Sequence, residues 1–161
     1  MKINGITVTT PKPSVLVLPH NGRDLIIKAR YVTNQELDEL DKILPEPKPP
    51  TKQVVDSNGK LGPAIPDLTN EKYQEQLTKY HSQRMAWVYI KSLEATENME
   101  WDTVNINDPE TWENWHTDLE RSGLPASYTI HISRLVTDTQ GWNSERIDEA
   151  TQNFLALAPV E

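Results

Sequence analysis

The sequence predicts an α+β fold: an N-terminal antiparallel β-hairpin with a short helix, a proline-rich linker, and a C-terminal array of about four α-helices. Three observations carry this. Apolar residues alternate with period two on either side of an Asn-Gly turn in the first segment. Six of the twelve prolines fall within residues 45–66. Helical periodicity then runs almost unbroken from Leu68. The units are therefore 1–44, 45–68 and 69–161.

Ser14-Val15-Leu16-Val17-Leu18 reads as one strand and Asp24 to Val32 as the next. Strand side chains repeat every two residues, so Leu25, Ile27, Ala29 and Tyr31 share a face. Asn21-Gly22 supplies the two positive-φ positions of a tight hairpin turn. Ile6 to Thr9 is expected to add a third strand, with Ile6 and Val8 inward. A lone two-stranded hairpin is marginal in water, so this one must pack on the helices that follow. Thr33-Asn34-Gln35-Glu36 matches a capping box, and Leu37, Leu40 and Leu44 continue one stripe until Pro45. A helix over about 34–44 is expected.

Residues 45–66 include Pro45-Glu46-Pro47-Lys48-Pro49-Pro50. Proline locks φ and removes a donor, which opposes both helix and sheet. Only Val54, Val55, Leu61, Ala64 and Ile65 offer apolar burial there. Their burial is worth on the order of 10 kcal/mol at best. Backbone ordering costs about 1–2 kcal/mol per residue, so an extended, mobile linker is expected, one that lets the hairpin unit move independently.

Four helices are expected beyond it. The first is capped by Thr69, runs to about 95 and carries Tyr73, Leu77, Tyr80, Trp87 and Val88 on one face, interrupted by Arg84. Met85, Tyr89 and Leu93 widen that stripe. A loop over 97–107 holds Trp101. Asp108-Pro109 opens the second helix, an N-cap followed by proline at the first helical position. Trp112, Trp115 and Leu119 line it, and Ser122-Gly123 closes it. Pro125 begins the third, with Ile132, Leu135 and Val136 inward. The last opens near Asn143 or Ser144. Trp142 and Ile147 are spaced as a hydrophobic staple, and Ile147, Ala150, Phe154, Leu155 and Ala158 form its stripe.

Charge and composition narrow the function classes. The net charge is −8 and is unevenly placed. Residues 1–50 carry seven basic and six acidic side chains, 51–95 six and five, and 96–161 three and thirteen. Duplex nucleic acid is a poor partner for that last third, because binding it depends on neutralising phosphates. A protein partner fits an acidic helical surface better. No run nears the roughly 18 apolar residues of a membrane span. Met1-Lys2-Ile3-Asn4-Gly5 opens no secretory h-region, so cytoplasmic residence is expected. The absence of cysteine removes disulfides, thiol catalysis and cysteine-ligated metals.

Catalytic motifs are missing. Asn58-Gly59-Lys60-Leu61-Gly62 lacks the spacing and Lys-Ser/Thr ending of a phosphate cradle. Glu113-Asn114-Trp115-His116 is a single Glu-x-x-His, whereas bundle di-iron sites need two. Asp102 to Asp108 lacks the central glycine of a calcium loop. No serine lies in a G-x-S-x-G elbow. The expectation is no enzyme, no catalytic residues, no metal and no cofactor. Five tryptophans remain, all in the helical part: Trp87, Trp101, Trp112, Trp115 and Trp142. Most belong on inward stripes. Tryptophan is also enriched at interface hot spots, so Trp101, Trp112 and Trp115 are the partner-binding candidates, with the loop residue Trp101 foremost.

The whole layout resembles a known group. An opening Met1-Lys2-Ile3-Asn4-Gly5, the strand Leu25-Ile26-Ile27-Lys28-Ala29, a short acidic helix and Leu44-Pro45-Glu46-Pro47-Lys48-Pro49-Pro50 are followed by Arg84-Met85-Ala86-Trp87, Lys91 to Thr96, Glu100-Trp101-Asp102, Asp108 to Trp112 and Ser122-Gly123-Leu124. Ile147, Ala150 and Phe154-Leu155-Ala156 close the chain. This is similar to the tail assembly chaperones of long-tailed bacteriophages. The resemblance implies a non-enzymatic protein of the host cytoplasm that binds the tape measure protein and helps tail-tube subunits assemble around it. It transfers no catalytic residue and no binding motif. A structural tail-completion or connector component, using the hairpin for sheet augmentation, is the alternative.

Overall fold

The computed structural model describes residues 1–55, 59–142 and 144–157. Its order is β1 (Lys2–Ile3), β2 (Ile6–Thr7), β3 (Ser14–His20), β4 (Arg23–Ala29), α1 (Asn34–Ile43), β5 (Thr51–Val55), β6 (Leu61–Pro66), α2 (Glu71–Leu93), α3 (Asn114–Arg121), α4 (Ala126–Thr139) and α5 (Ser144–Leu157). The architecture is α+β, with N-terminal hairpins followed by helices.

β3 and β4 pair antiparallel, with Leu18 opposite Leu25 and Leu16 opposite Ile27. Asn21 and Gly22 turn the chain at φ 49° and 75°. Leu18, Ile27 and Ala29 face inward and meet Leu93 of α2, Leu119 of α3, and Ile132 and Val136 of α4. A second cluster joins Val32 and Leu40 to Ala86, Trp87, Val88, Ile90 and Trp112. Helix α2 thus serves both clusters. The capping box at Thr33 and Glu36 is complete.

Polar contacts seal the hairpin to the helices. Gln140, at the C-terminal cap of α4, accepts from the Val32 N–H at 3.1 Å and donates to the Arg30 carbonyl at 2.9 Å. The Arg30 N–H donates to the Ser92 carbonyl, and the Ser92 hydroxyl returns a bond to the Arg30 carbonyl. Thr96 both accepts from the Lys28 N–H and donates to its carbonyl. An exposed strand edge is an aggregation hazard, and here Thr96 covers the edge of β4 at Lys28, near its C-terminal end. The Arg30 guanidinium clamps Glu36 of α1 and Glu94 beyond α2.

Several expectations are corrected. β3, β4 and α1 pack into the same two clusters as α2, α3 and α4, which opposes the independent movement expected of the hairpin unit. Ile6 and Val8 do not turn inward; β2 pairs only with β1, and both side chains are exposed. The proline-rich stretch is not a bare linker, since β5 and β6 pair antiparallel with an irregularity between Gln53 and Val55. Val54, Leu61 and Ile65 are exposed, so the ladder stands on its backbone pairing and not on a core. Lys52 and Asp67 close the base at 2.8 Å, and a Cβ on Gly62 would stand 2.9 Å from the Val54 carbonyl oxygen.

Helix ends also shift. Asn70 caps α2, because the Thr69 hydroxyl is spent on Asp67. The helix expected from Asp108 begins instead as a 3-10 turn over Pro109–Thr111, with α3 following from Asn114. Thr111 ties this turn to Asn105. Ile147 and Trp142 are exposed rather than inward. Asn143, Ala158 and the side chains of Ala150, Phe154 and Leu155 lie outside the described residues.

Candidate functional site

One face of α2 is left uncovered and forms a groove. Gln74, Thr78, Ser82, Met85 and Tyr89 succeed one another at helical spacing, so they line a single stripe about 22 Å long. Two hollows lie along it. The first, about 430 Å³, is lined by His81, Ser82, Met85, Ala86 and Tyr89 with Glu113 and Trp115. The second, about 490 Å³, is lined by Gln74, Glu75, Thr78, Lys79 and Ser82, again with Glu113. Ser82 and Glu113 border both, so the hollows adjoin. The Tyr89 end carries the aromatic rings, and the Gln74 end is lined by polar and charged residues whose exposed surface is still largely apolar.

The aromatic end is rigid. Tyr89 and Trp115 stack at 4.6 Å with planes 14° apart. The Tyr89 hydroxyl bonds Thr137 at 3.2 Å, which fixes the ring from the α4 side. Met85 is 42% exposed between these rings and solvent, and its unbranched thioether adapts to irregular apolar partners. At the Gln74 end Lys79 is held by Glu110 at 2.7 Å. Among the described residues no ion pair engages Glu75 or Glu113.

The three tryptophan candidates converge on the second core cluster but are placed differently. Trp112 is 0% exposed, and its indole N–H donates to the Ile106 carbonyl at 3.1 Å. It is a core residue and is withheld from any surface partner. Trp101 is half-buried and packs against both clusters. Its loop is fixed by buried Asp118, which accepts from the Thr103 N–H at 2.9 Å and its hydroxyl at 2.7 Å. Burial pushes the Asp118 pKa up, yet hydrogen bonds from Thr103 and the N–H groups of Val104 and Asp102 hold it below the ordinary value. Only Trp115 lines the groove.

Sequence reasoning missed Met85 as a surface residue by merging it into the inward stripe; Tyr89 does pack against the first cluster and also lines the groove. The signal was present: Thr78, Ser82, Met85 and Tyr89 repeat at three and four residues on a face distinct from Tyr73, Tyr80 and Trp87. A further hollow of about 420 Å³ runs beside β4, bordered by Ile26, Lys28, Thr96, Glu97 and Met99. Among the described residues no group of three or more His, Asp or Glu side chains could hold a metal ion, and no helix is long and apolar enough to cross a membrane. Comparison with known proteins returned no match to any family model, curated protein or solved structure.

Proposed function

We propose that this chain is a non-enzymatic assembly factor that holds a helical segment of another protein in the α2 groove. Following the resemblance of its layout, the client is the tape measure protein of a long-tailed bacteriophage, and the chaperone acts in the host cytoplasm while tail-tube subunits gather. The observation that carries the reading is the open stripe of α2, about 22 Å long and anchored by the Tyr89–Trp115 stack. Helix-in-groove recognition needs such a preformed apolar strip with anchors a turn apart. A tape measure protein is long and largely helical, and it must be kept soluble before the tube encloses it. An acidic binder suits that task.

Co-expression with the tape measure protein tests this. The expected result is a complex that survives purification with the wild type and is lost with Met85→Lys, while far-UV circular dichroism stays unchanged. No retained tape measure or tube protein overturns the proposal. The alternative, a structural tail component adding a strand to the hairpin, draws some support from exposed Val15, Val17 and Ile26 on the outer sheet face. Against it, Thr96 already occupies the β4 edge at Lys28, and Ser92 and Gln140 bond the chain just beyond it. Mass spectrometry of purified particles separates the two readings. A chaperone is absent from them, and a structural part is present in stoichiometric amount.

A further inference from the structure

The α2 groove has a sign as well as a shape. Its aromatic end, Met85, Tyr89 and Trp115, is followed by Glu113 beside Ser82 and then by Glu75 at the far end. Both carboxylates are exposed, and among the described residues neither is engaged in an ion pair. Lys79 lines the same hollow, but its ammonium is taken up by Glu110, which Gln83 also engages. Glu113 precedes α3 without making a side-chain cap bond, so its position is not explained by the helix it introduces.

We infer that the groove selects a basic amphipathic helix, with an apolar anchor seated at Met85, Tyr89 and Trp115 and cations facing Glu113 and Glu75. The inference rests on the helix-binding reading above and adds the chemistry of the client. With a rise of about 1.5 Å per residue, Ser82 and Glu75 stand about 7 Å and 18 Å from the middle of the anchor. The client therefore carries Lys or Arg a little over one turn and a little over three turns from its anchor. Complementary charge at such a rim selects partner and register more than it adds affinity. A second copy of this chain does not supply that helix through α5. Its exposed Glu145, Asp148 and Glu149 repeat the sign of the groove.

The test uses the full chain and three synthetic helical peptides of about 20 residues, long enough to span the stripe. They share a Leu-Phe anchor and differ only at the two facing positions, which are Lys, Gln or Glu. Isothermal titration gives the affinities. The Lys peptide is expected to bind about tenfold tighter than the Glu peptide at low salt, and the gap narrows as ionic strength rises. The doubly neutralised variant Glu75→Gln with Glu113→Gln abolishes the preference. The control Asp148→Asn with Glu149→Gln, on α5, keeps it. A preference that survives Glu75→Gln with Glu113→Gln, or equal binding of Lys and Glu peptides, overturns the inference while leaving the groove a helix site. Failure of all three peptides, with the tape measure protein still captured in a Met85-dependent way, overturns the inference alone. Failure of both overturns the inference and the helix-binding reading together.

Discussion

At the scale of single residues, a few polar side chains satisfy backbone groups where the hairpin meets the helices. Val32 is buried, and its N–H has Gln140 as its partner. Gln140→Ala leaves that donor in an apolar site and is expected to cost about 1–3 kcal/mol in urea unfolding. The Arg30 guanidinium holds the Glu36 carboxyl down to about 2 from the ordinary 4.5, aided by Thr33 and opposed by burial. A carboxylate with a lowered folded-state pKa stabilises fully above its unfolded value. That contribution is therefore intact above about pH 5 and is lost as pH falls towards 2. In acid titrations of stability, Glu36→Gln is expected to be less stable at neutral pH and to show a shallower decline across that window. Of these contacts only the Thr33–Glu36 box was legible in the sequence. The Thr33–Glu36 box is a local pattern, but Gln140 reaches Arg30 across 110 positions, and no spacing rule links them.

Among elements, the contrast is between two antiparallel strand pairs, one with a core behind it and one without. β3–β4 buries Leu18, Ile27 and Ala29, whereas Val54, Leu61 and Ile65 of β5–β6 are exposed. Amide hydrogen exchange is expected to be far faster in Thr51–Val55 and Leu61–Gly62 than at Leu16, Leu25 and Ile27. Gly62→Ala forces a Cβ against the Val54 carbonyl and speeds exchange in β5 without moving the global transition. The β3–β4 hairpin was readable because alternation, Asn21-Gly22 and a hydrophobic face agree. β5–β6 was not, since proline density argues against sheet and says nothing of a short, exposed ladder. Helix α2 was readable in length but not in its faces. One stripe feeds the cores and a second borders the groove, and hydrophobicity alone merges them.

For the whole molecule, burial separates the tryptophans by role. Trp112→Ala removes a wholly buried ring and its bond to Ile106, and is expected to cost about 3–5 kcal/mol of global stability. Trp115→Ala removes a half-buried ring that stacks on Tyr89. It is expected to cost less in unfolding and more in client capture. The layout of the chain was legible: hairpin, short helix, proline-rich stretch, helices. That the hairpin and the helices pack together was only half legible. The hairpin had to pack somewhere, but the proline-rich stretch between suggested separation.

The central claim is that the α2 groove holds a helix of another protein. A photo-crosslinking amino acid placed at position 85, in cells making tails, tests it most directly. The account predicts a crosslinked product whose partner peptide maps by mass spectrometry to a basic amphipathic segment of the tape measure protein. Crosslinks to no protein, or an identical product from position 147 on α5, contradict it.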